Sequence, residues 1–367
     1  MADSLLSGFR ALDLTDEKGF LCCKILSDMG VDTIKIEKPG GDPARNIPPF
    51  YHDTPDPEKS LNWFAYNNNK RSITIDLETS KGRDLFMNMV EKVDFVIESF
   101  PPGYMASLGL DYSNLTRINP RIIMTSITPF GRSGPYSGYK ASDIGIQAMG
   151  VLLSQQGDPD RAPVRTSIPQ AYMHAGAEAA EGTMIALYNR GLTGEGQHVD
   201  VSAMESILWV AERAVPYWDA SRTEFKRSGR VMQRELYPIP SIWECKDGYV
   251  SFSIQASFRG ASSNESLTKW LDSANMAPEF MNKADWERWD WALITQAELD
   301  SLVNTMTLLF KGSSADKLME EGEKRGLRIE KVCDSSDTVN NVQLKARDFW
   351  VKIEHEYESL NRDGIFS

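Results

Sequence analysis

VRTSIPQAYMHAGAEAAEGTMIALYNRGLTGEGQHVDVSAME, residues 164 to 205, holds the clearest helix of the chain, then a turn, then a strand. Residues 173 to 190 place Gly176, Ala179, Ala180 and Gly182 or Thr183 at the three- and four-residue spacings that share one helix face. Arg190-Gly191 closes that helix, since a glycine readily leaves the helical conformation. Side chains this small let another backbone approach closely. Thr193-Gly194-Glu195-Gly196-Gln197 reads as a turn and His198 to Met204 as a short strand. Tyr172 stands at the head of the helix as an aromatic packing residue, with His174, Glu178 and Glu181 as the polar groups nearby.

Upstream, strand and helix alternate. ALDL (11 to 14) reads as a strand, GFLCCKILSDMG (19 to 30) as an amphipathic helix closed by Gly30, and DTIKIE (32 to 37) as a strand. SITIDL (72 to 77), a helix over 80 to 93, DFVIES (94 to 99) and RIIMTSIT (121 to 128) continue the series. Such alternation predicts an α/β fold, a doubly wound, Rossmann-like parallel sheet with helical crossovers, whose ligands bind beyond the carboxyl ends of the strands. Downstream, a long helix is expected from about Ala203 to Tyr217, and a hairpin turning at Lys246-Asp247-Gly248 within residues 237 to 254. Residues 257 to 325 read as mainly helical. The expected division is a large domain over 1–217, a linker over 218–236, a smaller α+β domain over 237–340 and a segment over 341–367 returning to the large domain.

A chain of 367 residues can form two domains with proper cores, and 41% hydrophobic with 25% charged residues is ordinary for a globular protein. The net charge of −12 argues against nucleic acid and anionic membranes as partners, which need dense cationic patches. Cys22, Cys23, Cys245 and Cys333 form neither a metal-ligand spacing nor a secreted disulfide framework, so reduced thiols in a cytoplasmic protein are expected. The N-terminus lacks a signal-peptide pattern, and no stretch approaches the roughly 18 apolar residues of a membrane span.

Four further segments carry chemistry. Asn69-Lys70-Arg71-Ser72 forms a basic turn at a strand, and Lys38 follows Glu37 at the end of another; cations at strand ends suit phosphate ligands. Glu98-Ser99-Phe100-Pro101-Pro102-Gly103 precedes Ser107-Leu108-Gly109, and Gly131 lies in the glycine-bearing loop Thr128 to Pro135.

Together these segments, in order and spacing over about 350 residues, resemble the family III CoA-transferases, the group of formyl-CoA and carnitine CoA-transferase. In that family an Asp is followed four residues later by Gly, a small-residue helix, T-G-x-G-Q and a strand. Gly176 and Gln197 match, which puts Tyr172 on the nucleophile position. The resemblance implies a carboxylate that attacks an acyl-CoA thioester to give a mixed anhydride, followed by exchange of CoA through covalent intermediates. A phenol of pKa about 10 does not serve that scheme, and Glu178 and Glu181 lie one and two turns further along the helix. The resemblance assigns no catalytic residue to this chain. It implies a degenerate CoA site at Lys38, Asn69, Lys70, Arg71, Ser99, Phe100 and Gly131, because two cationic positions of the family are Pro101 and Ser107 here.

The resemblance therefore implies a non-catalytic subunit with no permanently bound cofactor. CoA and acyl-CoA would be substrates held mainly by a paralogous partner that keeps the Asp, in a heterodimer or heterotetramer. Family dimers interlock, so the resemblance implies that the small-residue face of the 173 to 190 helix packs in the dimer core, and the heteromeric branch acting on benzylsuccinate with succinyl-CoA is the most similar. A self-sufficient homodimer using another residue, and a pseudoenzyme that binds CoA esters in regulation, are the alternative readings.

Overall fold

The computed structural model describes residues 4–211, 214–234 and 237–351. Two compact units divide the chain: the first comprises the chain up to Gln155 together with Pro163–Phe225, the second Gln156–Ala162 and the chain from Lys226. The 341–367 segment, read from sequence as a return to the large domain, lies in part outside the described residues.

In the first unit six parallel strands, β1 (Arg10–Leu14), β2 (Asp32–Glu37), β3 (Lys70–Thr74), β4 (Phe95–Glu98), β5 (Ile123–Thr128) and β6 (His198–Ser202), stand in the order β3-β2-β1-β4-β5-β6. This is the doubly wound order, with a switch of direction between β1 and β4. The inner strands are buried at nearly every residue, as a sheet covered on both faces requires. Helices α1 (Phe20–Asp28), α2 (Leu61–Asn67), α3 (Ser80–Val90), α4 (Tyr104–Ser107), α5 (Tyr112–Ile118), α6 (Asp143–Met149), α7 (Gln170–Thr193), α8 (Ala203–Leu208) and α9 (Ala214–Ser221) connect or follow them. Cys22, Leu26, Ala175, Ala179 and Ile127 fill one face of the sheet, and Phe86, Val90, Leu115 and Met124 the other.

Helix α7 is longer than its sequence pattern marks, and Gly194 ends it in the left-handed conformation at φ 83. Its small-residue face does receive close neighbours, but they are α1 and β6 of the same chain. A Cβ at Gly176 would lie 2.8 Å from Leu21 Cβ and 3.2 Å from Cys22 N, and one at Gly182 would lie 2.9 Å from Val199 Cγ1. The continuous helix expected from Ala203 to Tyr217 is instead two pieces, α8 and α9. Pro216 explains the break, because it has no N–H to bond a preceding turn and is tolerated in the first turn of α9. Strand β3 starts two residues earlier than its apolar pattern, directly after Asn69, whose φ of 63 turns the chain out of α2.

The second unit contains the hairpin β7 (Val231–Arg234) with β8 (Tyr237–Pro240). It also has a three-stranded sheet of β9 (Ile242–Cys245), β10 (Gly248–Ser251) and β11 (Glu330–Lys331) in the order β11-β10-β9. Cys245 pairs with Gly248, which places the β9–β10 turn on Lys246 and Asp247. Helices α10 (Ala261–Ser273), α11 (Glu279–Lys283), α12 (Gln296–Lys311) and α13 (Ala315–Arg325) pack an aromatic core around Trp243, Phe252, Trp289 and Phe310. Thr295 and Glu298 form a reciprocal cap at the start of α12. The last helices are α14 (Ser335–Asn340) and α15 (Val342–Ala346). Among the described residues no helix is long and apolar enough to cross a membrane.

Candidate functional site

Where β1 and β4 part, their carboxyl ends open a cavity of about 700 Å³ lined by Thr15, Asp16 and Glu17 after β1 and by Ser99 and Phe100 after β4. Lys35, Glu37, Lys38 and Asp42, Asp76 with Glu78, and Tyr104 complete its polar wall. A doubly wound sheet offers a ligand crevice at this switch of direction.

A buried charge cluster forms the floor. The Asp13 carboxylate is fully buried, 2.9 Å from Lys70 Nζ and 3.6 Å from Lys35 Nζ, and accepts the Thr15 N–H at 2.9 Å and the Thr15 hydroxyl at 2.7 Å. Burial opposes charge on Asp13, but the two ammoniums and the Thr15 hydroxyl outweigh it and hold the carboxyl far below the usual range. Lys35 also lies 3.3 Å from Asp42 and donates to the Thr15 carbonyl; these carboxylates overcome its burial and raise its pKa. Beside it, Arg45 grips Glu37 through a fork of 2.7 and 2.8 Å and stacks 4.2 Å from the Trp63 ring. Burial alone would raise the Glu37 pKa; Arg45, the Ser72 hydroxyl and the Asp42 N–H bring it down to about 2.

The buried cations Lys35, Arg45 and Lys70 are therefore already spent on carboxylates. Of the lining ammoniums, Lys35 is neutralised by Asp13 and Asp42, and among the described residues the exposed Lys38 has no ion-pair partner. Six carboxylates, those of Asp16, Glu17, Glu37, Asp42, Asp76 and Glu78, face the same space. A polyanion entering here meets mainly like charge.

Tyr172 sits in a separate apolar pocket of about 190 Å³ with Phe20, Leu21, Ile47, Tyr66 and Met173; Glu17 borders both this pocket and the larger cavity. The Tyr172 N–H donates to Asp143 Oδ1 at 3.1 Å, which ties the first turn of α7 to the start of α6. Burial, followed by the negative charges of Glu17, Asp143 and Asp16, pushes the phenol up to about 12. A phenolate nucleophile is thereby disfavoured on both counts. Glu178, Glu181 and His174 open onto a different groove, bounded by β6 and Trp209, and do not line the Tyr172 pocket.

Lys38, Ser99 and Phe100 line the cavity, as the sequence suggested for a ligand site; Asn69, Lys70, Arg71 and Gly131 do not. Lys70 is buried beneath it against Asp13, and Asn69 donates to Asp28 at 2.9 Å. Arg71 bonds Asp32 at 2.9 and 2.7 Å at the opposite end of β2, and Gly131 faces Ser202. Ser99 exchanges hydrogen bonds with Asp16, at 2.8 Å from its N–H and 2.7 Å to its carboxylate. Sequence reasoning missed Asp13, Lys35, Glu17, Glu37 and Arg45. The first four lie in or just after strands already recognised, so the rule that ligands gather at strand carboxyl ends could have found them. Among the described residues no group of three or more His, Cys, Asp or Glu side chains is arranged to hold a metal.

The family model described as CoA-transferase family III matches residues 6–364, and the chain belongs to that family. Among curated proteins it is 33% identical over 347 residues to the succinyl-CoA:(R)-benzylsuccinate CoA-transferase subunit BbsE of Thauera aromatica, covering 94% of this chain and 82% of that one. It is 32% identical to the acetyl-CoA:oxalate CoA-transferase of Acetobacter aceti over 94% of this chain and 85% of that enzyme. Among solved structures, a CaiB/BaiF family protein from Brucella suis superposes with a TM-score of 0.80 at 27% identity, over 97% of this chain and 93% of that one. Membership of the family implies CoA and acyl-CoA as substrates.

Proposed function

We propose that this chain is the non-catalytic subunit of a heteromeric family III CoA-transferase whose paralogous partner supplies the nucleophilic Asp and holds most of the CoA. The enzyme moves CoA between an acyl-CoA such as succinyl-CoA and an organic acid of the benzylsuccinate type. One observation carries the reading: the position matched to the family's nucleophile holds Tyr172, a phenol in an apolar pocket, pushed up to about 12 by burial and by the charges of Glu17, Asp143 and Asp16. The balance of charge in the neighbouring cavity supports it, because the phosphates of CoA need cations that are engaged elsewhere. The name of the Thauera aromatica relative, a subunit of its transferase, supports a partnered enzyme.

A second reading rests on Glu17. Its carboxyl borders both cavities, whereas Glu178 and Glu181 line neither, so it is the acidic side chain of the Tyr172 pocket in position to replace the missing Asp.

The test is activity with and without the partner. The purified chain alone is expected to transfer no CoA, and the co-expressed pair to do so. In the pair, Tyr172→Phe should leave kcat/KM within about twofold, since the phenol performs no proton transfer. Tyr172→Asp in the chain alone should not create turnover, because a carboxylate without a held thioester lacks the proximity that catalysis requires. A homogeneous Tyr172→Asp chain with partner-like rates would overturn the reading.

A further inference from the structure

Glu98, Ser126 and Asp200 are direct neighbours in the register of β4, β5 and β6, on the face of the sheet that carries Met124. Glu98 is 4% exposed and, among the described residues, has no ion-pair partner. Its Oε2 accepts the Phe100 N–H at 2.7 Å, and its carboxyl bonds the fully buried Ser126 hydroxyl. Ser126 Oγ lies 2.9 Å from Nε2 of the half-buried His198, while Arg132 Nη1 lies 3.0 Å from Nδ1 of that ring and 3.4 Å from Nε2. Asp200 accepts the Arg132 N–H at 3.1 Å, and the Tyr112 ring sits 5.3 Å from the His198 ring. Together with Asp111, these are the charged and titratable groups that face the row.

Donor chemistry gives this chain of bonds a direction. A guanidinium only donates, so the nearer nitrogen, Nδ1, is bare and the ring proton sits on Nε2. Nε2 then donates to Ser126, and Ser126 donates to the Glu98 carboxylate. The opposite order is also complete: a proton on Glu98 donates to Ser126, Ser126 donates to a bare Nε2, and a proton on Nδ1 excludes Arg132.

We infer that Glu98, Ser126, His198 and Arg132 form a proton relay, in which His198 is the port through which the buried Glu98 gains and loses its proton and Arg132 guards that port. In uptake Arg132 leaves Nδ1, a solvent proton bonds to Nδ1, the Nε2 proton passes to Ser126 Oγ, and the hydroxyl proton of Ser126 passes to Glu98. The N–H at Nε2 and the old O–H of Ser126 break, bonds to Nδ1, Oγ and the carboxyl form, and the net gain is a single proton. Burial raises Glu98 to about 7 against the pull of Ser126, the Phe100 N–H and Arg132, so its charge changes near neutral pH. Burial and Arg132 lower His198 to about 4, so in this range the ring passes a proton without keeping a second one. Phe100, whose N–H Glu98 holds, lines the large cavity beside Ser99, and Arg132 lies in the loop from Thr128 to Pro135. The relay thus ties the charge beneath the cavity wall to the hold on that loop.

Selective nitrogen-15 labelling of histidine in the full chain reads the ring by NMR. The chain has four histidines, and the signals lost in His198→Gln assign this one. The ring proton is expected on Nε2 at about pH 8 and on Nδ1 at about pH 6, with no doubly protonated ring between them. The midpoint should fall at about 7. In Glu98→Gln the amide oxygen keeps the Phe100 N–H and the amide NH₂ faces Ser126 at every pH, so His198 should stay in the Nδ1–H form. Ser126→Ala should cut the relay and abolish the midpoint. A wild-type ring that keeps one tautomer across this range, or becomes doubly protonated within it, would overturn the relay without recourse to any variant. A midpoint that survives in folded Glu98→Gln would overturn it as well.

Discussion

Asp13→Ala is expected to cost the chain about 3–5 kcal/mol, enough to leave much of it unfolded, because it strands Lys35 and Lys70 in the core without their shared carboxylate. The side chains of the three residues are 2% exposed or less, so water cannot take the place of Asp13. Urea denaturation at neutral pH measures the loss. The wild type carries the matching pH signature. Asp13 is held below its unfolded value, so its contribution is complete above the ordinary Asp range near about 4 and is lost as pH falls from there toward the folded value. Lys35 is raised, so its contribution is complete below the ordinary Lys value of about 10.4 and is lost only at higher pH. Stability from this cluster should therefore be flat across neutral pH and fall in acid. An Asp13→Ala protein with wild-type stability would show that the cluster is not what holds β1, β2 and β3 together.

Gly176→Leu is the second large effect. A Cβ there already meets Leu21 and Cys22 N of α1 too closely, and the backbone of α1 cannot rotate away as a flexible side chain could. The three further carbons of leucine must displace a helix that carries Cys22, Cys23 and Leu26 into the core, at a cost of about 3 kcal/mol or more. Because α1 belongs to the same chain, the defect should appear in the melting of the isolated protein, with no partner present. A Gly176→Leu chain that melts like wild type but fails to assemble would return this face to the dimer interface.

The fold was legible because its elements have strong local signatures. DTIKIE becomes β2 at the expected bounds, and the order of strands and crossovers gives the sheet. What was missed divides into single-residue backbone effects and contacts between distant segments. Pro216 breaks a helix whose apolar pattern runs on, and Asn69 moves the start of β3 by its backbone angle. Spacing drew attention to Tyr172, but the charges around it come from residues as far apart as Glu17 and Asp143. Lys70 and Arg71 illustrate the difficulty. Adjacent in a basic turn, they part at the strand, one to the buried Asp13 and the other to the exposed Asp32. Sequence shows the charges, and only the register of β3 on β2 shows that both are already paired.

The central claim, that covalent chemistry belongs to the partner, is tested by trapping the enzyme during turnover. The co-expressed complex is treated with acyl-CoA and borohydride or hydroxylamine, and each subunit is mapped by mass spectrometry. Modification confined to the Asp of the partner is the result expected, with every carboxylate of this chain unlabelled. An adduct on Glu17, or on any other residue of this chain, would contradict it.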